Sequence, residues 1–228
     1  MGSYSHDVHE RKTLREEPRS GGAGMNIYLT VKRFFDIVLS VLGLAVLWPA
    51  FLVIACLIKH EDHGPVFYKH KRVGLYGQTI NIYKFRSMKA GSEDLKGLTP
   101  EQREEYQREF KVSNDPRVTK VGGVLRRTFL DELPQIFNIL RGEMSFVGPR
   151  PIMEEELRLC YSERERKLLL SRRPGLTGYW QIQERKNATY ASGERQRAEL
   201  YYIEHESLWL DFWILLKTVA VIFVKNVQ

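Results

Sequence analysis

Phe34–Ile58 reads FFDIVLSVLGLAVLWPAFLVIACLI, and the fate of these 25 residues decides whether the chain is a soluble domain or a membrane protein. As one straight helix the stretch measures about 37 Å, enough to cross a hydrocarbon core of about 30 Å. Three features oppose a simple crossing. Asp36 is costly in lipid without a partner, and Pro49 deletes a backbone hydrogen bond in the second half. Basic residues also flank both ends, with Lys32 and Arg33 before and Lys59, Lys69, Lys71 and Arg72 after. Positive charge marks the cytoplasmic end of a segment, so both ends belong on that side. Broken at Pro49, the arms are about 21 Å and 15 Å, and neither crosses alone. A re-entrant helix hairpin over residues 25–59 reconciles these observations. The alternative is a single-pass anchor with the remainder still cytoplasmic.

Outward from this segment, residues 1–24 are polar and glycine-rich, carry four basic and four acidic side chains, and read as a disordered leader or tag. The net charge of +7 therefore lies wholly in the remaining residues. A basic body suits anionic headgroups or phosphorylated substrates, and with no motif of a nucleic-acid module, nucleic acid is not expected as a partner. Cys56 and Cys160 are far apart, and His60, His63, His70 and His205 show no metal spacing.

C-terminal to the apolar stretch, Val66–Tyr68 and Thr79–Phe85 are β-branched and aromatic around Gly74 and Gly77, which predicts a hairpin. Lys84 and Arg86, two apart, would face one side of an extended strand. A surface helix is expected from Pro100, with Tyr106 and Phe110 on one side. Ile152–Leu170 reads as helix with a mostly solvated charged face, Ala198–His205 as helix, and Ser207–Asn226 as an interfacial or buried helix interrupted by Asp211 and Lys217. Strands mixed with helices make the class α+β, mainly helical with a small irregular sheet, over residues 60–228.

The chemistry concentrates in RRTFLDELPQIFNILRGEMSFVGPRP, Arg126–Pro151. Asp131 and Glu132 form an adjacent carboxylate pair between Arg126 and Arg127 upstream and Arg150, held between two prolines, downstream. Carboxylates can bind a divalent cation or attack phosphorus, and guanidiniums grip phosphate oxygens in pairs. Leu133, Ile136, Phe137 and Leu140 recur at helical spacing with Gly142 as a stop, and Pro134 is tolerated only in a first turn. Asp131 is thereby placed at or beside the N-cap, where the macrodipole favours phosphate. The alternative is that Asp131 only caps the helix and the arginines are solvated. Further on, SRRPGLTGYW forms a basic loop in which Tyr179 and Trp180 offer flat faces to a base or lipid group.

LDELPQ, FNILRGEMSFVGPRP and RRPGLTGYWQI, together with GPVFYKHKRVG, KFRSM at Lys84–Met88 and NDPRVTKVGGVLRRT, resemble the bacterial sugar transferase family, the monotopic phosphoglycosyl transferases. The resemblance covers most of Met25–Val224. It implies transfer of a sugar 1-phosphate from a UDP-sugar to polyprenyl phosphate, giving polyprenyl-diphosphate-sugar and UMP. It also implies a re-entrant hairpin at a bacterial inner membrane with the catalytic domain on the cytoplasmic face. Asp131 would be the nucleophile, with Asp131 and Glu132 holding Mg²⁺, and Arg126, Arg150, Arg173, Lys84, Arg86 and Arg72 would take substrate phosphates. Trp48 stands where the family usually has serine before Pro49, and ERKN at Glu184–Asn187 departs from its usual glycine, arginine, asparagine pattern. Rivals to the covalent route are a ternary mechanism, in which Asp131 only binds metal, and a non-catalytic adaptor gripping membrane lipids. A homo-oligomer is compatible with all three.

Overall fold

A computed structural model of the chain describes residues 23–92, 95–110, 112–183 and 192–225. Of the expected leader, residues 1–24, the first 22 lie outside the described residues, as does the Glu184–Asn187 segment, while Ala23 and Gly24 already belong to a helix. Helix α1 spans Ala23–Asp62, 40 residues with Pro49 inside. It is long and apolar enough to cross a membrane. Asp36, Ser40, Ile54 and Ile58 share its buried face, while Phe34, Val41, Leu42, Val46, Trp48, Leu52 and Val53 are exposed on the other side. The expected break at Pro49 is absent: helical geometry runs through it. A proline inside a helix removes one N–H and crowds the carbonyl four residues back, a cost met here because the helix is held from outside on either side of Pro49.

Both ends of α1 are tied to the same body. At the N-terminal end, Tyr28 Oη donates to Asp211 Oδ2 at 2.9 Å and Lys32 Nζ lies 2.5 Å from the same oxygen. Asp36 Oδ1 accepts from Ser145 Oγ at 3.1 Å and from the Phe146 N–H at 3.0 Å, which supplies the partner its burial requires. At the C-terminal end, Glu61 Oε1 accepts from the Lys120 N–H at 2.8 Å, and Asp62 pairs with both terminal nitrogens of Arg86.

Strands β1 (Phe67–Val73) and β2 (Thr79–Phe85) form the expected antiparallel hairpin, with Tyr68 opposite Lys84 and Arg72 opposite Ile80. One face carries Phe67 and Phe85, stacked at 5.4 Å, and packs with Ile54 and Ile58 of α1. The other face bears Ile80 and Ile82 against Ile139 and Met144. Helix α2 (Pro100–Glu109) starts where Pro100 predicts, with Thr99 and Gln102 forming a capping box. Helix α3 (Lys120–Arg127) follows.

Leu130–Gln135 is a 3-10 turn that leads into the short helix α4 (Ile136–Leu140), which ends at Gly142 with φ +79°. Asp131 therefore sits in the first turn of a 3-10 segment entered through left-handed Phe129, not at the cap of a continuous α-helix. The i→i+3 pattern accommodates Pro134 within the turn and re-aims the carboxylates. Arg33 closes the far end, donating to the carbonyls of Ile139 and Leu140 at 2.5 and 2.8 Å, the first of which also accepts from the Gly142 N–H at 2.9 Å.

Strands β3 (Ser145–Val147) and β4 (Gly175–Thr177) pair in parallel. Gly175 is needed there, because a Cβ would lie 2.2 Å from the Gly148 nitrogen. The expected helix over Ile152–Leu170 is two: α5 (Glu154–Cys160) and α6 (Glu163–Leu170), separated because Ser162 caps the second with Glu165. Helices α7 (Glu194–His205) and α8 (Leu208–Lys225) complete the body. Ile214 of α8 is fully buried while Trp209, Phe212 and Leu216 are exposed, so this helix is both packed and apolar on its outer side. The main core gathers Tyr202, Ile214, Leu157, Val147 and Leu169 from five of these elements.

Candidate active site

Asp131 and Glu132 lie against the inner face of the β1–β2 hairpin. Strand alternation brings Lys84 to that face, where its Nζ is 2.6 Å from Glu132 Oε1. Arg126 arrives from α3, whose backbone is pressed onto the strand end. A Cβ on Gly122 would lie 2.0 Å from the Ser87 carbonyl oxygen, so glycine permits the approach, and one turn later Arg126 Nε donates to Ser87 Oγ at 2.9 Å.

Asp131 is 8% exposed. Burial pushes its carboxyl up to about 6, against the pull of Lys84, while Glu132 raises it and Arg126 lowers it. At neutral pH the group is still mostly ionised, but held in a poorly solvated place where a carboxylate is more reactive than in water. Glu132, a third exposed at its side chain, keeps Oε2 clear of the Lys84 bond. Among the described residues no cluster of three potential metal ligands occurs. The pair alone fits Mg²⁺, which takes one or two carboxylates together with substrate phosphate oxygens.

Along the same sheet face, beyond Lys84, lie His70 and Arg72. Burial first, then Arg72, Lys84 and Arg150, push His70 down to about 3, which keeps it neutral. Arg72 reaches Glu156 at 3.3 Å and His70 Nδ1 at 3.3 Å. Arg150 belongs to this second group: its charge lowers Arg72 and Arg195, each to about 10, after burial. The structure thus joins Asp131, Glu132, Lys84 and Arg126 in one site, and places Arg72 and Arg150 beside it.

Two predicted phosphate ligands are elsewhere. Arg86 turns from the carboxylates to Asp62 at the end of α1 and is 7% exposed, because Phe85 ends the regular strand alternation and Gly64 leaves room for the guanidinium. Arg173 Nε donates to the Gly142 carbonyl at 2.8 Å, in a cleft shared with Lys32, Arg33 and Arg172 beside the N-terminal half of α1. Asp36, Trp48 and Pro49 stay on α1, Asp36 inward and Trp48 59% exposed.

Sequence reasoning missed Glu156 and Glu199, 1% and 2% exposed, and Arg195, whose guanidinium lies 5.7 Å from the Trp180 ring centre. The expected solvated face of Ile152–Leu170 is corrected at Glu156, which is buried between Arg72 and Arg195. Only the four-residue spacing of Arg195 and Glu199 on one helix hinted at a pair.

A model of the family described as bacterial sugar transferase matches residues 27–225. The chain is 43% identical over 213 residues to the exopolysaccharide production protein ExoY of Sinorhizobium fredii, covering 92% of each, and 44% identical over the same length to its counterpart in Rhizobium meliloti. It is 41% identical over 200 residues to the undecaprenyl-phosphate galactose phosphotransferase of Salmonella typhimurium, covering 86% of this chain and 41% of that protein. A match running from α1 to α8, through the carboxylate turn and the arginines around it, assigns the chain to the bacterial sugar transferase family.

Proposed function

We propose that the protein transfers a sugar 1-phosphate from a UDP-sugar to a membrane polyprenyl phosphate by way of Asp131. An Asp131 oxygen attacks the sugar-linked phosphorus, a P–O bond forms, and the bond to the bridging oxygen breaks with that electron pair leaving on UMP. An oxygen of polyprenyl phosphate then attacks the same phosphorus, giving the diphosphate-linked lipid and returning the free carboxylate. Lys84 keeps Asp131 ionised and Glu132 oriented, Arg126 faces the transferred phosphoryl group, and Arg72 and Arg150 supply positive potential for the departing nucleotide phosphate. Mg²⁺, held by Asp131 and Glu132 when bound, would neutralise diphosphate charge.

The observation that carries this reading is the buried, mostly ionised Asp131 facing Lys84 and Arg126. The relative named as an undecaprenyl-phosphate phosphotransferase supports the acceptor class. Attachment of both ends of α1 to one body supports a monotopic arrangement, in which α1 is re-entrant or lies in one leaflet and the site stays on the cytoplasmic face of the inner membrane. Phe129 and Phe137, 40% and 37% exposed, border the carboxylate turn and suit a site at the lipid boundary.

The test is incubation of purified protein with individual UDP-sugars and no acceptor. A stoichiometric burst of UMP, with intact mass raised by one phosphosugar and lost in Asp131→Asn, is expected. UMP release only after acceptor addition would instead establish direct transfer, and no turnover with any donor would leave a lipid-binding adaptor.

A further inference from the structure

In Pro149–Arg150–Pro151 two of three residues have no N–H, so the Arg150 amide is the one backbone donor with which this tripeptide can be fixed. Glu199 Oε2, from α7, accepts that donor at 3.0 Å. The carboxylate is 2% exposed, and its other oxygen has no hydrogen-bond partner among the described residues. Buried carboxylates are costly, and this one stands among groups from several elements: Arg195 on its own helix, Glu156 from α5, Arg150 itself, and Tyr161 after α5, whose hydroxyl burial keeps neutral. Burial is the largest influence and pushes Glu199 up to about 7, with Arg150 and Arg195 opposing.

We propose that Glu199 is a positioning residue for the transfer reaction: its carboxylate holds the single amide of the Pro149–Pro151 loop and so fixes where the Arg150 guanidinium meets a substrate phosphate. Glu156 supports the arrangement by bridging Arg72, at 3.3 Å, and Arg195, at 3.9 Å. The loop is otherwise held at its flanks, where the Gly148 N–H donates to Thr177 O at 3.0 Å and the Gly175 N–H to Pro149 O at 2.8 Å. The second bond holds the Pro149–Arg150 peptide plane by its carbonyl, and Glu199 holds the same plane by its N–H, so the carboxylate completes a two-sided restraint. The proposal rests on Arg150 serving substrate phosphate, as in the transfer reading above.

Two substitutions separate reach from charge. Glu199→Gln keeps an acceptor oxygen at the same reach and is expected to lower kcat/KM for UMP release about fivefold, the difference between a charged and a neutral acceptor. Glu199→Asp keeps the charge but withdraws it by one methylene, and is expected to cost about a hundredfold, as for an ångström-scale misplacement. In an Arg150→Ala background the Glu199→Asp penalty should vanish, since a residue acting through Arg150 has nothing left to position. Hydrogen exchange of the 149–151 segment, which reports only the Arg150 amide, should show protection in the parent and Gln variant and fast exchange in the Asp variant. An Asp variant more active than the Gln variant, a penalty undiminished without Arg150, or an unprotected amide in the parent would overturn the proposal. Should the parent turn over no UDP-sugar, the transfer reading fails, while the exchange measurement still decides whether Glu199 holds the loop.

Discussion

Lys84 Nζ stands 2.6 Å from Glu132 Oε1, so β2 delivers to the carboxylate turn the cation that also favours ionised Asp131. Replacing Lys84 with Met removes that stabilisation and raises the Asp131 carboxyl further above 6. A smaller fraction then ionises at neutral pH. UMP release is expected to fall about twofold at pH 7 and about tenfold at pH 5, with its acid limb moved upward by about one unit. A pH–rate profile from 5 to 9 checks this, and an unmoved acid limb would remove Lys84 from the site.

Asp131→Asn should abolish the covalent adduct and lower turnover by several orders of magnitude, yet stabilise the metal-free protein. The folded chain holds the Asp131 proton more tightly than the unfolded chain does, so this group's contribution to stability falls as pH rises from about 4 to about 6 and stays lost above. In EDTA at pH 7.5 the variant is expected to gain up to about 3 kcal/mol, visible as several degrees in Tm. At pH 4 the two proteins should melt together. A lower Tm for the variant at pH 7.5 would mean that the ionised carboxylate is well accommodated.

Arg86 is paired with Asp62 at the end of α1. Arg86→Met leaves Asp62 without its partner and Arg86 is itself buried, so a loss of about 3 kcal/mol in unfolding free energy is expected. Specific activity per folded molecule should stay within about twofold of the parent. Parent-like stability with abolished turnover would return Arg86 to the active site.

A single cysteine at Asn26, with Cys56 and Cys160 replaced, should react with membrane-impermeant maleimide only from the cytoplasmic side, because Lys32, Arg33 and Asp36 fasten that end of α1 to the catalytic body. Labelling from the opposite side in sealed cells would establish a one-pass anchor and contradict those contacts.

The β-hairpin was legible because alternating aromatic and β-branched residues around two glycines leave few other options. The carboxylate site was legible as residue types, and Lys84 was found because strand alternation is simple. Arg86 was misplaced by the same rule one step past the strand's end, where Phe85 is the last paired residue. Glu156 and Glu199 were read as solvent-facing or passed over because charged helix residues are usually exposed; their burial depends on three arginines brought from β1, the Pro149–Pro151 loop and α7. Pro49 signalled a break that the helix does not make. What holds the N-terminal half of α1 is contact with residues more than a hundred positions away, which no local pattern encodes.

That separation sets an order of events during synthesis. Asp36 meets Ser145 across 109 positions and Lys32 meets Asp211 across 179. At ribosomal rates of roughly 5 to 20 residues per second, Lys32 waits on the order of 10 to 40 s for its counter-ion to be made. Until Ser145 is made, in the earlier part of that interval, Asp36 lacks its partner near the start of this long apolar segment. The nascent chain must therefore shelter this segment, in lipid or in a chaperone, before the body that later grips both its ends exists.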